Sequence, residues 1–522
     1  MTARVVAGPY VRPGAPAVLE AVVENSGESL DALVRIRTRT GRSEASFAPS
    51  EHVRLERGSN ALEIVFIPDS ASAGTRFEVL DGRAAAEPRE PLFRADLSRV
   101  LRPLEPSERL VIAVGARALP LAALQLDSRR VAVSALEARE LPTRDEAYAA
   151  ADLVVVEEAD RASVSAARAD ALARYLLGGG KVVFASFRAL GAFERALFGA
   201  GPAPRTWADW PGGASGAIRE EGLPERVELP FGLGRLVVFA AEPGDPRPWG
   251  APTAGFLSGF LAARAEPWLD PDAFEALAPE RPFAAAASRG RTAAIVGGLL
   301  AGVAASLLSR ARRRLALAAL AAVAIAWALV VTLIWGPSPG SARLLRVRLF
   351  TADGRAEVVT DTAVLTSLGA GTLGFECGTG PPIAVARRVG EAAAYSLVEH
   401  GGVWRALGAP AGAGEHLLFR TRSVRSRVRS ETDADSELVT RVLSRGSPAR
   451  LLPLPEGTPR CDSAGEEIPG DIRHMLERSG ARAGELAWVW QEGVPEGLRT
   501  SGGVELAPGS GTLFVAERPQ GP

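Results

Sequence analysis

Two apolar runs, Thr292 to Ser309 and Leu315 to Trp335, stand back to back with only Arg310, Ala311, Arg312, Arg313 and Arg314 between them. Nothing else in the chain restricts its architecture so strongly. The second run carries no charge, and at about 1.5 Å rise per residue it reaches roughly 31 Å, the thickness of a hydrocarbon core. The first is just long enough to do the same. The pattern predicts a two-helix transmembrane hairpin over 292–335, with helices at 292–309 and 315–335. Arginines are costly to thread through lipid and collect in cytoplasmic links. The link is therefore expected in the cytoplasm, with the flanking residues on the far side.

Helices in lipid associate through close backbone approach, which needs small residues four apart on one face. Gly298, Gly302 and Ser306 satisfy this in the first run, and Ala318, Ala322 and Ala326 in the second. Either these faces pack together or an alanine-rich composition produces the spacing by chance. Exporting the residues ahead of the hairpin requires a signal peptide, yet Met1-Thr2-Ala3-Arg4 leads into strand-like sequence without an apolar core region. Two placements stay open: an upstream start with extracytoplasmic soluble parts, or soluble parts in the cytoplasm. Arg289, Arg291, Arg343, Arg346 and Arg348 on the outer flanks weaken the charge bias. The extracytoplasmic placement is the favoured expectation.

The 522 residues, 47% hydrophobic and 23% charged, suit several globular domains around a small membrane part. A net charge of −1 leaves no global field to attract a polyanion, so nucleic acid is not an expected partner. Lys181 is the single lysine, and the remaining basic residues are arginine, a skew that reflects base composition more than recognition chemistry. Cys377 and Cys461 both follow the hairpin. Outside the cytoplasm they could form a disulfide worth about 2 to 4 kcal/mol; the alternative is two independent thiols.

From Val5 to Leu80 short alternating segments are separated by turn clusters such as Asn25-Ser26-Gly27-Glu28 and Arg57-Gly58-Ser59-Asn60, which predicts an immunoglobulin-like β-sandwich over 1–95. Its opening strands, around Val18 to Gly27, resemble those of bacterial extracytoplasmic modules that bind or space. From Arg109 the pattern changes to continuous apolar runs: Leu110 to Val114, Val131 to Val133, Leu153 to Val156, Val182 to Ala185 and Leu236 to Ala240. Such runs belong to strands buried on both faces. Between them, Ser163 to Leu177 reads as a helix ended by Gly178-Gly179-Gly180, and Thr253 to Arg264 as another. A doubly wound α/β domain over 105–268 is the expectation. After the hairpin, a β-rich soluble domain is predicted over 343–522.

Pro142, Tyr148, Ala151 to Val156, and Tyr175-Leu176-Leu177-Gly178-Gly179-Gly180-Lys181-Val182-Val183 together resemble the class I glutamine amidotransferase-like domain of bacterial membrane proteins, over about residues 105–265. The resemblance implies a flavodoxin-like fold and a bacterial inner (plasma) membrane setting, crossed more than once. Active members use a cysteine at a strand-to-helix elbow with a histidine and an acid. Residues 1–376 hold no cysteine, and their one histidine is His52. Ser186 falls near the elbow position without a histidine beside it in sequence, so the domain is expected to be catalytically empty.

Other candidate motifs carry bland readings. Gly336-Pro337-Ser338-Pro339-Gly340 fits a nucleophile-elbow pattern but follows a membrane run and is stiffened by prolines, which suits a linker. Gly369-Ala370-Gly371-Thr372-Leu373-Gly374 fits a dinucleotide pattern without a helix to follow, which suits a turn. Glu157, Glu158 and Asp160 sit where open sheets bind ligands and could hold a divalent cation, or complement the next helix N-terminus. Arg420, Arg422, Arg425, Arg427 and Arg429 precede Glu431, Asp433, Asp435 and Glu437, and either meet an anionic partner or pair internally. His400, His416 and His474 share no ligand spacing.

The expected function is non-enzymatic: a membrane-anchored cell-envelope protein that presents binding domains to a protein or macromolecular partner, as an accessory of an envelope or transport complex. The lipid bilayer and an unidentified protein are its expected partners, with no cofactor, metal, catalytic residue or small-molecule substrate. The alternatives are an unusual hydrolase or amidotransferase-like enzyme, and a cytoplasm-facing membrane adaptor.

Overall fold

The computed structural model describes residues 1–40, 43–68, 74–82, 90–115, 130–198, 218–221, 223–240, 251–262, 297–298, 340–350, 356–367, 371–385, 395–411, 416–426, 486–492, 494–501, 505–506 and 510–517. Within them the chain is mainly β, with four α-helices. The N-terminal strands are β1 (Thr2–Val5), β2 (Tyr10–Val11), β3 (Ala17–Asn25), β4 (Leu30–Thr40), β5 (Ser43–Ala48), β6 (Val53–Leu55), β7 (Gly58–Phe66), β8 (Arg76–Asp81), β9 (Phe93–Asp96) and β10 (Arg102–Pro103). Strands β1, β3 and β7 form an antiparallel sheet, while β10 pairs with β2.

The middle of the chain builds a six-stranded sheet from β11 (Arg109–Val114), β12 (Val131–Leu136), β13 (Leu153–Val156), β14 (Lys181–Phe184), β15 (Arg226–Phe231) and β16 (Gly234–Phe239). Its order is β12-β11-β13-β14-β16-β15, parallel except for the β15/β16 hairpin at one edge. Because neighbouring residues of a strand point to opposite faces, Ile112, Val154, Val156, Val182 and Phe184 join one core with α1 (Ala166–Leu177). Val111, Ala113, Leu153, Val155 and Val183 join the other. Past the short helices α2 (Phe187–Gly191) and α3 (Glu194–Phe198), α4 (Ala251–Ala262) covers that second face with Leu257, Phe260 and Leu261. The link from β12 to β13 contains two single 3-10 turns, Ala138–Glu140 and Asp145–Tyr148, in place of a helix.

The later strands are β17 (Gly340–Phe350), β18 (Ala356–Ser367), β19 (Gly371–Cys377), β20 (Ile383–Val385), β21 (Ser396–His400), β22 (Val403–Ala411), β23 (His416–Ser426), β24 (Leu486–Glu492), β25 (Arg499–Ser501), β26 (Glu505–Leu506) and β27 (Gly511–Glu517). One set forms a seven-stranded sheet around β17 and β18. The other joins the N-terminal strands, because β21 runs parallel to β5 with Ser396 opposite Ser46 and Val398 opposite Ala48. The result is one nine-stranded sheet, β25-β19-β22-β21-β5-β4-β8-β9, with β6 on β4.

This corrects the expected fold class. An N-terminal immunoglobulin-like sandwich and a separate C-terminal domain do not describe a sheet that both regions build. The doubly wound α/β unit and the transmembrane hairpin likewise give way to a mostly β chain with several sheets and few helices. No helix among the described residues is long and apolar enough to cross a membrane. The multi-pass inner-membrane placement is corrected on that finding, which concerns helices alone. Apart from Gly297 and Gly298, the segments 292–309 and 315–335 lie outside the described residues, as does the proposed Gly302 contact.

Salt bridges fasten the regions together. Asp152, at the entry to β13, accepts from Arg12 Nη2 at 2.6 Å, from Arg109 Nη1 at 2.8 Å and from the Leu110 backbone N–H at 2.8 Å. Arg144 reaches Glu399 of β21 at 2.9 Å and lies 5.7 Å from the centre of the Trp404 ring. Within the seven-stranded sheet, Arg346 of β17 grips the fully buried Asp361 opposite it on β18 at 2.6 and 2.9 Å, and Thr379 Oγ1, two residues past β19, donates to the same carboxylate at 2.6 Å.

Candidate functional site

The six-stranded sheet has its strand order reversed beside β11: the chain steps to β12 on one side, then returns to β13 on the other. At such a switch point the carboxyl ends of the strands part and leave room for a ligand. Gly115, just past β11, adopts φ 110° and donates its N–H to Leu136 O at 3.0 Å. A Cβ at this position would stand 2.8 Å from Glu158 N, so a glycine is needed for the two strand ends to approach. Glu157 N–H donates to Val114 O at 2.9 Å, tying the ends of β11 and β13 together backbone to backbone.

At that tie the strand end of β13 carries Glu157, Glu158 and Asp160. Glu157 is half-buried and engaged, whereas Glu158 and Asp160 are exposed. Asp160 Oδ1 accepts the N–H groups of Ala162 at 2.9 Å and Ser163 at 2.8 Å, and the hydrogen bond from Ser163 foremost lowers its pKa. This turn delivers the chain to Ser165, whose hydroxyl caps α1 by accepting from Arg168 N at 3.4 Å. The three acids therefore serve a turn, a strand end and solvent. No ligating group of acidic, histidine or cysteine side chains forms among the described residues.

Ser186 stands at the same edge, two residues past β14. Its hydroxyl accepts from Ala189 N at 3.2 Å and caps α2. Its backbone is extended, at φ −155° and ψ 161°, without the strained turn that presents a nucleophile. The histidines within the described residues lie elsewhere: His52 before β6, His400 at the end of β21 and His416 at the start of β23. Arg161 pairs with Glu194 and donates to Gly191 O at 3.2 Å, tying the Asp160 turn to α2 and α3.

The remaining sequence candidates are dispersed. Gly371 to Gly374 lie within β19, paired with β22 through a bulge, so this part of the dinucleotide pattern is strand; Gly369 and Ala370 lie outside the described residues. Arg420, Arg422 and Arg425 lie on β23, where Arg422 is opposite Thr360 and Arg425 opposite Glu357. Arg427, Arg429 and the acids from Glu431 to Glu437 lie outside the described residues, as do 336–339, Cys461 and His474. Cys377 is a buried free thiol that donates to Gly380 O at 3.3 Å. The independent-thiol alternative therefore holds for it, and burial foremost pushes its pKa up to about 12.

Sequence reasoning passed over two features. Lys181 Nζ donates to Phe260 O and Leu261 O, both at 2.8 Å, and so secures the last turn of α4. The second is the outer edge of β9, whose place at the end of a sheet has no local signature. No protein-family model, no curated protein and no solved structure matches this chain.

Proposed function

We propose that the chain is a non-enzymatic binding protein whose switch-point edge receives a basic segment of a protein partner. The observation that carries this reading is the exposed acidic lip of Glu158 and Asp160 at the tied ends of β11 and β13. The lip offers negative charge, with Asp160 Oδ1 already accepting from the Ala162 and Ser163 N–H groups. Chemistry at this edge would need an activated nucleophile, and the nearest hydroxyl, that of Ser186, accepts a helix-capping bond from Ala189 N. The Asp152 clamp at the entry to β13 and the Glu157–Val114 backbone bond at its exit hold the strand that carries the lip, which limits the ordering cost of binding. The likeness of residues 105–265 to amidotransferase-like domains enters as a likeness of sequence, without the chemistry.

A photo-cross-linking residue at Glu158 in the full chain tests the reading. It should trap a protein through a lysine- or arginine-rich segment, and Asp160→Arg should abolish the trap. Trapping that persists in Asp160→Arg would refute an acidic docking surface. The enzyme alternative has its own test: glutaminase or esterase turnover that disappears in Ser186→Ala would replace this proposal, while its expected absence in both chains supports it.

A further inference from the structure

We propose that the chain self-associates through β9, the outer edge of which seats the same edge of a second copy in antiparallel register. The inference does not depend on the acidic lip. β9 closes the nine-stranded sheet, and among the described strands only β8 pairs with it. Leu97 N donates to Thr75 O at 3.0 Å, and the register that places Ala95 opposite Phe77 and Phe93 opposite Val79 continues that pair by twos. In an antiparallel ladder, residues alternate between those bonded to the neighbour and those turned away from it. Phe93 and Ala95 therefore face β8, and the N–H and C=O groups of Arg94 and Asp96 point outward.

A two-fold antiparallel pair that uses those outward groups has three simple registers. Placing Arg94 opposite the second copy's Arg94, or Asp96 opposite its Asp96, sets like charges face to face, which is destabilising. The third places Arg94 opposite the second copy's Asp96 and Asp96 opposite its Arg94. All four outward groups of each strand then bond, and both side-chain pairs are complementary. Ala95 meets its own equivalent at the close position, where Cα atoms stand about 4.5 Å apart and a small side chain fits.

Two further observations favour a second copy. Leu92 is 60% and Phe93 39% exposed, and the row Val34, Val79, Phe93 carries the buried face of the sheet out to this edge. Arg94 shares the buried carboxylate of Glu78, at 3.2 Å, with Arg35 at 3.0 Å and Arg37 at 3.6 Å, so Glu78 does not neutralise it alone. Short charged edges ordinarily discourage foreign strands. Here the same two charges select the strand that bears them in reverse.

Sedimentation equilibrium of the full chain tests this across a micromolar concentration series. The expected mass at the upper end is about twice the 54.6 kDa of one chain. Asp96→Arg and Arg94→Glu should each be monomeric, and an equimolar mixture of the two should regain the doubled mass, because both cross-pairs are then opposite in charge. Arg94→Glu sets a second acid beside Glu78, so Asp96→Pro, which removes an outward N–H, is an independent check. It should be monomeric with an unchanged circular dichroism spectrum. A wild-type chain that stays monomeric, a dimer that survives Asp96→Arg, or a mixture that stays monomeric would overturn the proposal.

Discussion

Asp361 is the sharpest probe of what a buried ion pair contributes to the seven-stranded sheet, where it stands opposite Arg346 across β17 and β18. Its side chain has no exposure, and that of Arg346 only 13%, so their bidentate pair lies in a medium where a lone charge is expensive. Asp361→Ala leaves the Arg346 guanidinium with a single neutral acceptor, Glu496 O at 2.7 Å, and removes the acceptor of Thr379. Breaking a buried pair from one side costs about 3 to 5 kcal/mol. Thr379 retains its 2.6 Å bond with Thr421, so little is added for that hydroxyl. Replacing both partners, Asp361→Leu with Arg346→Met, removes the stranded charge and should restore most of the loss, since apolar substitutes for such pairs are often neutral. Urea unfolding read by tryptophan fluorescence suits the question, because Trp404 lies in the nine-stranded sheet and Trp488 and Trp490 in the seven-stranded one. A double replacement less stable than Asp361→Ala, or a single loss below about 1 kcal/mol, would refute the reasoning.

Burial, then the charges of Arg235 and Arg109, lowers the Lys181 pKa from 10.5 to about 8, with Asp152 opposing. The unfolded chain therefore binds more protons than the folded one between those values, and stability should rise with pH from about 8 to 10.5. Lys181→Arg, which stays charged, should lose that rise in urea midpoints; equal slopes would exclude Lys181 as its source. Gly115→Ala forces a side chain into a left-handed φ against Glu158 N and should cost about 1 to 3 kcal/mol in thermal unfolding. A stability equal to wild type would show that the strand ends move apart freely. Cys377, buried and with its pKa pushed up to about 12, should resist alkylation at pH 8 in the native chain and react in urea. Rapid native labelling would contradict its burial.

The runs legible in the sequence are those whose surroundings are uniform. Leu153 to Val156 reads as a strand because successive side chains enter two separate cores, so no polar position interrupts it. The end of α1 was legible for a narrower reason than the structure supplies. Gly178 and Gly179 end the helix, the latter at φ 104°, while a Cβ at Gly180 would stand 2.4 Å from the Tyr175 ring and one at Gly178 would meet Val424 of β23 at 2.8 Å. The glycine string is thus a contact surface as well as a terminator. At the candidate site the carboxylates could be named in advance. The consumption of Asp160 and Ser186 by local N–H groups could not, because a capping bond depends on where the next helix begins.

Alternation along a strand says which face is buried without saying what buries it. Ser43–Ala48 and Ser396–His400 are strands that pair with each other, and nothing in their local sequence announces either the strands or that pairing. Dividing the chain at changes of periodicity therefore assigned the two segments to different domains. The arginines of β23 mislead for the same reason. Arg425 reads as part of a basic run, yet its opposite residue is Glu357 on a strand far back in sequence. Charge balance within a sheet is set across strands, where the order of pairing decides which charges meet. The same reasoning gives the β9 edge its weight: Arg94 and Asp96 look like ordinary surface charges until the ladder shows that the backbone N–H and C=O groups of both point outward together.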